Sequence, residues 1–320
     1  MMIKALANTD PNYGKRPETR SIEELLNCCF INIDKPAGPT SHQVTLWVKD
    51  ILSVKRTGHS GTLDPNASGV LPIGVNRATK LLGYLLMGTK EYVAFMRLHG
   101  DADEEKVREA LSGFVGTIEQ KVPLRSAVKK QRRKRRVHEL EVLEIDKREV
   151  LFRAVVDSGT YIRTICVDAG KAIGTGANMV QLIRTRSSVF REEDSFILQD
   201  VIDAFAMWKE GSETELRKVL LPIEYGFSLF PSIVIRDSSI SAVCHGADLA
   251  LPGVLQIDEH IIKGSTVCAY SLKGELVAIG KAVMSAQDMM EKENGIAVDI
   301  ESAVMERLTY PKIWDRSGKM

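Results

Sequence analysis

The sequence predicts an α+β domain, with helices packed against a mixed sheet, followed by a compact β domain. Three observations carry that reading. The chain has 320 residues, more than one ordinary core accommodates and enough for two. Helical and strand-like stretches alternate loosely before about residue 227, without the regular βαβ rhythm of a doubly wound fold. Beyond it, short strand candidates are separated by Gly246, Gly253, Gly264, Gly274 and Gly280.

Residues 1–20 are polar, carry Pro11, Gly14 and Pro17, and read as an arm that frays or packs on another domain. Residues 30–33 form a short strand-like run that ends at Asp34-Lys35-Pro36. Gly38-Pro39 breaks the chain, and Thr40 or Ser41 then caps a helix with Val44, Trp47, Val48, Ile51 and Leu52 on one face. Residues 58–74 hold four glycines and two prolines, which excludes a plain helix or strand and predicts a fixed loop. Strands are expected over 92–98, 139–145 and 150–156. A second helix starts from Asp103, with Val107, Ala110, Leu111 and Phe114 as its stripe. A third starts near Thr160, with Ile162, Ile165, Cys166 and Ala169 inward and Gly174 just past its end. In the β region, residues 266–272 and 275–283 flank Lys273-Gly274, a hairpin signal. These readings divide the chain into an arm (1–20), a larger domain (21–227), a β domain (228–313) and a tail (314–320).

Hydrophobic residues at 44% and charged residues at 27% are the balance of a globular chain. Aromatics at 6% exclude a chain built on aromatic repeats. With 43 Lys+Arg against 42 Asp+Glu the net charge is +1, which taken alone argues against a nucleic-acid binder. The average hides an asymmetry. Arg125, Lys129, Lys130, Arg132, Arg133, Lys134, Arg135 and Arg136 lie in a run with no acid, and removing these eight from the 43 leaves 35 basic against 42 acidic residues. One strongly positive face on a mildly acidic body is expected, and local fields steer polyanions. The alternative is a solvated basic loop.

The five cysteines form no CxxC pair or zinc-type spacing, and the six histidines form no HExxH cluster. No metal is expected, and the odd cysteine count suggests reduced thiols in a cytoplasmic protein. No apolar run approaches the roughly 18 residues of a membrane span. Residues 1–15 lack the apolar core of a signal peptide.

Within 58–74, Asp64 precedes Pro65, where the backbone is held extended. A carboxylate on such a loop is a helix cap, a structural acceptor or a catalytic group. Here the residues resemble a family. The stretch GHSGTLDPNASGVLPIGV is similar to the catalytic motif of the TruB-type pseudouridine synthases, in which the aspartate of GTLDP is the nucleophile or general base; that position is Asp64. Residues 33–41, IDKPAGPTS, resemble the family's N-terminal motif. Lys90-Glu91-Tyr92 matches its KxY, whose tyrosine stacks on the target base. Residues 158–163, SGTYIR, match the motif whose arginine, here Arg163, pairs with the aspartate.

Residues 97–101 (RLHGD) and 123–129 (PLRSAVK) are similar to the archaeal and eukaryotic dyskerin branch, and residues 246–254 and 273–280 resemble a PUA domain, a small RNA-binding β-barrel. The resemblance spans about residues 25–313. It implies a largely antiparallel pseudouridine-synthase sheet with flanking helices, then a PUA barrel. The chain departs from the branch at Ser188-Val189, where Gly-Pro is usual, at Ile183, where arginine is common, and at Cys28-Cys29.

The implied reaction breaks the uracil–ribose N-glycosidic bond, turns the base and rejoins it through carbon, an isomerisation that calls for no cofactor. The resemblance gives Asp64 the covalent or basic role. Arg163 holds the carboxylate ionised, Tyr92 stacks on the flipped uracil, and Tyr161 and Leu182 complete the pocket wall. His59 and Lys35 face RNA or hold the loop. Taken singly, the tyrosines and Leu182 read as core and Arg163 as a surface charge; their joint match with Asp64 overturns that. The basic run becomes a phosphate-binding surface with strong salt dependence.

The branch implies guide-directed action on rRNA in an H/ACA particle, in ribosome biogenesis. Its partners are a guide RNA, a small zinc-ribbon-like protein, a Gar-type protein and a kink-turn-binding ribosomal-type protein. The alternatives are a stand-alone enzyme for the tRNA T-loop and a non-catalytic RNA-binding scaffold.

Overall fold

The computed structural model describes residues 1–121 and 132–312. It divides into two compact units, one of residues 22–221 and one that joins residues 1–21 to the chain from Pro222 onward.

The sheet of the larger unit runs in the order Cys28–Lys35, Ser68–Asn76, Ala177–Ser187, Lys90–Leu98, Glu149–Val156, Arg132–Asp146, Gly116–Lys121. Neighbours are antiparallel except Ser68–Asn76 and Ala177–Ser187, which run parallel. Ile162–Ile173 and Glu104–Ser112 cover one end, and their inward residues Ile165, Cys166, Ala169, Val107 and Leu111 share a core with Tyr92, Ala94, Met96, Phe152 and Leu182. A second core lies around Ile31, Ile33, Val44, Val48, Leu71 and Ile73. Its helices Leu198–Lys209 and Thr214–Val219 went unread in the sequence analysis.

Local chemistry explains the helix ends. Thr40 caps Ser41–Ile51 in a capping box with Gln43. Asp103 caps Glu104–Ser112 through the amides of Glu105 and Lys106. Gly174, at φ 91°, closes Ile162–Ile173 in the left-handed conformation glycine adopts freely.

Three expectations need correction. Trp47 is not in the buried stripe but 44% exposed. At 100° per residue the inward face of Ser41–Ile51 is centred on Val48 and includes Ser41 and Thr45, whose hydroxyls find backbone partners, so Trp47 swings to the edge. Residues 58–74 are not all loop: Thr57–His59 and Ser68–Asn76 are strands, and only 60–67 lie between them. The strand keeps its glycines because a Cβ at Gly69 would stand 2.3 Å from the Arg184 carbonyl oxygen, where the neighbouring strand crosses. The strand expected over 139–145 begins at Arg132. The part of the basic run that is described is therefore paired backbone rather than loop, and strand alternation divides its side chains between two faces.

The smaller unit has a seven-stranded sheet in the order Met2–Ile3, Val254–Ile257, Ser232–Ile235, Thr266–Tyr270, Leu276–Ala282, Ile296–Ala303, Leu249–Ala250. Thr266–Tyr270 and Leu276–Ala282 are an antiparallel pair across the Lys273-Gly274 turn. The arm is fixed on this unit. Lys4 N–H donates to the Leu255 carbonyl at 2.8 Å, and Thr9 Oγ1 donates to Asp237 at 2.9 Å. Buried Glu275 accepts from Lys15 N–H at 3.0 Å and from the Tyr310 hydroxyl at 2.8 Å.

Candidate active site

Residues 60–67 form a short loop whose backbone is tied down almost residue by residue. Ser60 N–H donates to the Pro72 carbonyl at 3.0 Å. The Ser41 hydroxyl, buried at a helix start, accepts from Leu63 N–H at 2.8 Å and donates to the Leu63 carbonyl at 3.1 Å. Gly38 N–H reaches the Pro65 carbonyl at 2.8 Å, and Ala67 N–H the Asp64 carbonyl at 3.0 Å. Leu63 and Ala67 point into the core, leaving the Asp64 side chain 52% exposed. There it accepts a hydrogen bond and ion pair from the Arg163 guanidinium. Arg163 stands in the first turn of Ile162–Ile173, so the SGTYIR segment delivers it while Ile162 and Ile165 anchor the helix in the core.

Three buried cations lie beside the same loop, and two of them bond it. Lys35, fully buried, donates from Nζ to the carbonyls of Pro36 at 2.7 Å, Pro65 at 3.2 Å and Ala67 at 2.8 Å. These bonds tie the Lys35 ammonium to the loop backbone. Arg184 is 1% exposed and donates from Nε to the Val70 carbonyl at 2.8 Å and from Nη2 to the Gly61 carbonyl at 3.1 Å. Lys90 is 3% exposed and donates to the carbonyls of Leu86 at 3.1 Å and Gly88 at 2.8 Å. Burial, and then the Arg184 charge, push the Lys90 ammonium down to about 7. Burial and Arg184 lower Lys35 in the same direction.

Tyr92 and Leu182 sit on neighbouring strands, 9% and 8% exposed, in the core cluster that also holds Leu63, Ala67 and Ile162. Tyr161, half-buried, is fixed through its backbone: the Gln120 amide donates to its carbonyl at 3.0 Å and accepts from its N–H at 2.9 Å. His59 lies on Thr57–His59 with Nδ1 buried and unpartnered. Burial, then Arg184 and His42, lower its pKa. Arg132, beside Arg163 in an open cleft of about 420 Å³, pairs with Glu119 at 3.4 Å. Arg133, Lys134, Arg135 and Arg136 follow it along the strand. Arg125, Lys129 and Lys130 lie outside the described residues.

The structure thus brings Asp64, Arg163, Tyr92, Leu182 and Lys35 around one loop. Sequence reasoning gave no role to Arg184 or Gln120, and none to Lys90 beyond its place in the KxY motif. A signal for Lys90 was present: strand alternation puts it on the inward face with Tyr92, two residues on. Gln120 gave none, because its role depends on which strand meets residue 161. Among the described residues no three His, Cys, Asp or Glu side chains gather as a metal site, and no helix is long and apolar enough to cross a membrane.

With this geometry in hand, comparison with known proteins is specific. Residues 49–162 match the model of the TruB family pseudouridylate synthase N-terminal domain, and 163–228 that of the tRNA pseudouridylate synthase B C-terminal domain. Residues 231–304 match a PUA domain and 1–45 a DKCLD domain. A protein of Archaeoglobus fulgidus named "Probable tRNA pseudouridine synthase B" is 49% identical over 317 residues, 99% of this chain and 98% of its own length. A protein of Methanocaldococcus jannaschii with the same name is 46% identical over 99% of this chain and 94% of its own. Among solved structures, a chain in an H/ACA RNP bound to a substrate RNA containing 2′-deoxyuridine is 46% identical, covering 98% of this chain and 96% of its own, with TM-score 0.93. A chain of a Cbf5-Nop10-Gar1 complex is 48% identical over 97% and 95%, also with TM-score 0.93. Whole-chain identity near one half, in a fold shared from the arm to the last strand, makes this chain a pseudouridine synthase of the TruB family with a PUA domain.

Proposed function

We propose that the chain isomerises uridine in rRNA under the direction of a guide RNA, as the catalytic subunit of an H/ACA particle, with Asp64 as the catalytic carboxylate. The observation that carries the guide-directed reading is the whole-chain likeness to subunits solved within H/ACA complexes. It supports as partners an H/ACA guide RNA, a small Nop10-like protein and a Gar-type protein. The dyskerin-type sequence adds a kink-turn-binding protein.

Asp64 is the exposed carboxylate of an otherwise immobilised loop, so its oxygens meet the substrate with little conformational loss. Arg163 holds the carboxylate in place through a charge-assisted pair, which orients it as a nucleophile or base. The uridine has to leave its stack at a cost of a few kcal/mol. The ring of Tyr92 offers an apolar face that returns roughly 1–3 kcal/mol by stacking, and Leu182 and Tyr161 wall the pocket. Base detachment, rotation and carbon–carbon bond formation then take place against this wall, with Asp64 on the sugar or on the base.

The test is tritium release from 5-tritiated uridine, comparing wild type with Asp64→Asn. Release that needs guide and partner proteins supports the proposal, and release abolished by Asp64→Asn supports its catalytic group. The names carried by the relatives favour a second reading, a stand-alone tRNA enzyme. Release from a tRNA transcript by the chain alone would establish that reading instead.

A further inference from the structure

The strands Lys90–Leu98 and Ala177–Ser187 do not pair evenly beside the Asp64 loop. Glu91 stands opposite Arg186 and Tyr92 opposite Arg184, so Thr185 is an extra residue, a β-bulge. The bulge decides where side chains point. Arg184 and Ser187, three positions apart, are both 1% exposed, whereas a regular strand would send them to opposite faces. It lets Leu182 and Arg184 face inward with Tyr92 while Arg186 turns to the other face and meets Glu91. A one-residue slip would turn Leu182 and Arg184 away from the loop. It would also break the bonds from Arg184 to the Val70 and Gly61 carbonyls.

The Glu91 side chain sits at this bulge. Strand alternation points it away from Tyr92, into an open cleft of about 380 Å³ that Thr185 and Arg186 also line. There it does not reach a base stacked on Tyr92, but it engages both bulge residues. The Thr185 hydroxyl donates to one carboxylate oxygen at 2.9 Å, and Arg186 stands 3.6 Å from the other. Arg153, on the strand along the opposite edge of Lys90–Leu98, donates to that second oxygen at 2.9 Å. Arg153 is held in turn by Glu139 at 2.7 Å and Glu141 at 3.4 Å, so the network crosses four neighbouring strands. Burial works against the Glu91 charge, but the hydrogen bonds from Thr185 and Arg153 and the charges of Arg186 and Arg153 hold its carboxyl below the usual range. We propose that Glu91 is a positioning residue for the isomerisation, which locks the Thr185 bulge and so holds Tyr92, Leu182 and Arg184 against the Asp64 loop. This rests on the reading of Tyr92 and Leu182 as the wall of the uracil pocket.

The experiment separates rate from binding. Single-turnover tritium release is measured with the full chain at saturating RNA, with guide RNA and partner proteins or on a tRNA transcript, whichever of the two supports release. Affinity for the same RNA is measured alongside. Glu91→Gln and Thr185→Val are expected to slow release about ten- to a hundredfold. Their Kd for RNA stays within about twofold of wild type, because neither side chain lies on the face that holds the base. Thr185→Ser restores the hydroxyl donor and with it most of the rate. A merely structural role would instead favour Thr185→Val, which keeps the branched side chain that suits a strand. The two Thr185 variants change little volume, so their comparison stands even where loss of the Glu91 charge unfolds the chain. In a Tyr92→Ala background, Glu91→Gln slows release by less than it does in wild type, as expected of a residue that acts through another. Wild-type rates in Glu91→Gln and Thr185→Val, a loss that appears in Kd instead, or equal losses in Thr185→Ser and Thr185→Val would overturn the proposal. A Tyr92→Ala variant that keeps the full rate would sink the pocket reading itself, and the role of Glu91 with it.

Discussion

Asp64 and Arg163 keep 52% and 43% of their side-chain surface exposed, and an ion pair in that setting contributes at most about 1 kcal/mol to folding. Asp64→Asn is therefore expected to unfold within about 1 kcal/mol of wild type and to retain RNA binding, while isomerisation falls at least a thousandfold or so. Denaturant melts and tritium release on the same preparations check both halves. Lys90 is the opposite case, a buried cation bonded to the carbonyls of Leu86 and Gly88. Its ammonium is held at about 7 when folded and titrates near its ordinary 10.5 when unfolded. Between those values the unfolded chain binds the extra proton, so stability gained from the neutral form is complete above about 10.5 and is lost as pH falls to about 7. Lys90→Met is expected to remove this rise, on the order of 3 kcal/mol across the window. Urea unfolding of both proteins at pH 7 and pH 10 measures it, and parallel curves would show that Lys90 does not titrate. The sequence marked Asp64, Arg163, Lys35 and Lys90 by motif, but neither the burial of the two lysines nor Arg184. What makes Lys35 and Arg184 important is the set of carbonyls they meet in segments far along the chain, whereas Lys90 bonds the turn just before its own strand.

At the scale of elements, the strands that carry the site meet where side chains are small. Gly69 has φ 98°, and an added Cβ would stand 2.3 Å from the backbone oxygen of Arg184. Gly69→Ala is expected to cost about 3–5 kcal/mol, the sum of an unfavourable conformation and a clash with backbone that has no room to move. Loss of the folded baseline in a thermal melt would read out the same defect. Ser188 shows a milder version. It follows the strand Ala177–Ser187 with φ 56°, in the left-handed region. Ser188→Gly is expected to raise stability by up to about 1 kcal/mol, offset in part by the freer unfolded chain. A melting temperature that drops would show that the Ser188 side chain contributes more than its backbone strain costs. Most elements were legible because caps and periodicity are local: Thr40, Asp103 and Gly174 each act within a turn of their helix. The strand Ser68–Asn76 was hidden by its own composition. Gly69 and Gly74 look like loop residues until a neighbouring strand and the turn at Ala78 are seen pressing on them.

For the molecule as a whole, a net charge of +1 gives little overall attraction to a polyanion, so salt-dependent RNA binding has to come from local fields. Replacing Arg132, Arg133, Arg135 and Arg136 by Gln is expected to flatten the log–log salt slope of RNA binding by about 3. An unchanged slope would return the basic strand to a solvated role. The sequence by itself determined the two-domain α+β plan, the starts of three helices and, through its motifs, the residues to place at the site. Each of these depends on neighbours a few residues away or on a pattern read along the chain. Tertiary structure decided which of them meet, and that the described part of the basic run is a paired strand with two faces. It also decided that the loop under Asp64 rests on buried cations. Those outcomes follow from long-range strand pairing and burial, which place residues as distant as Gly61 and Arg184 in contact.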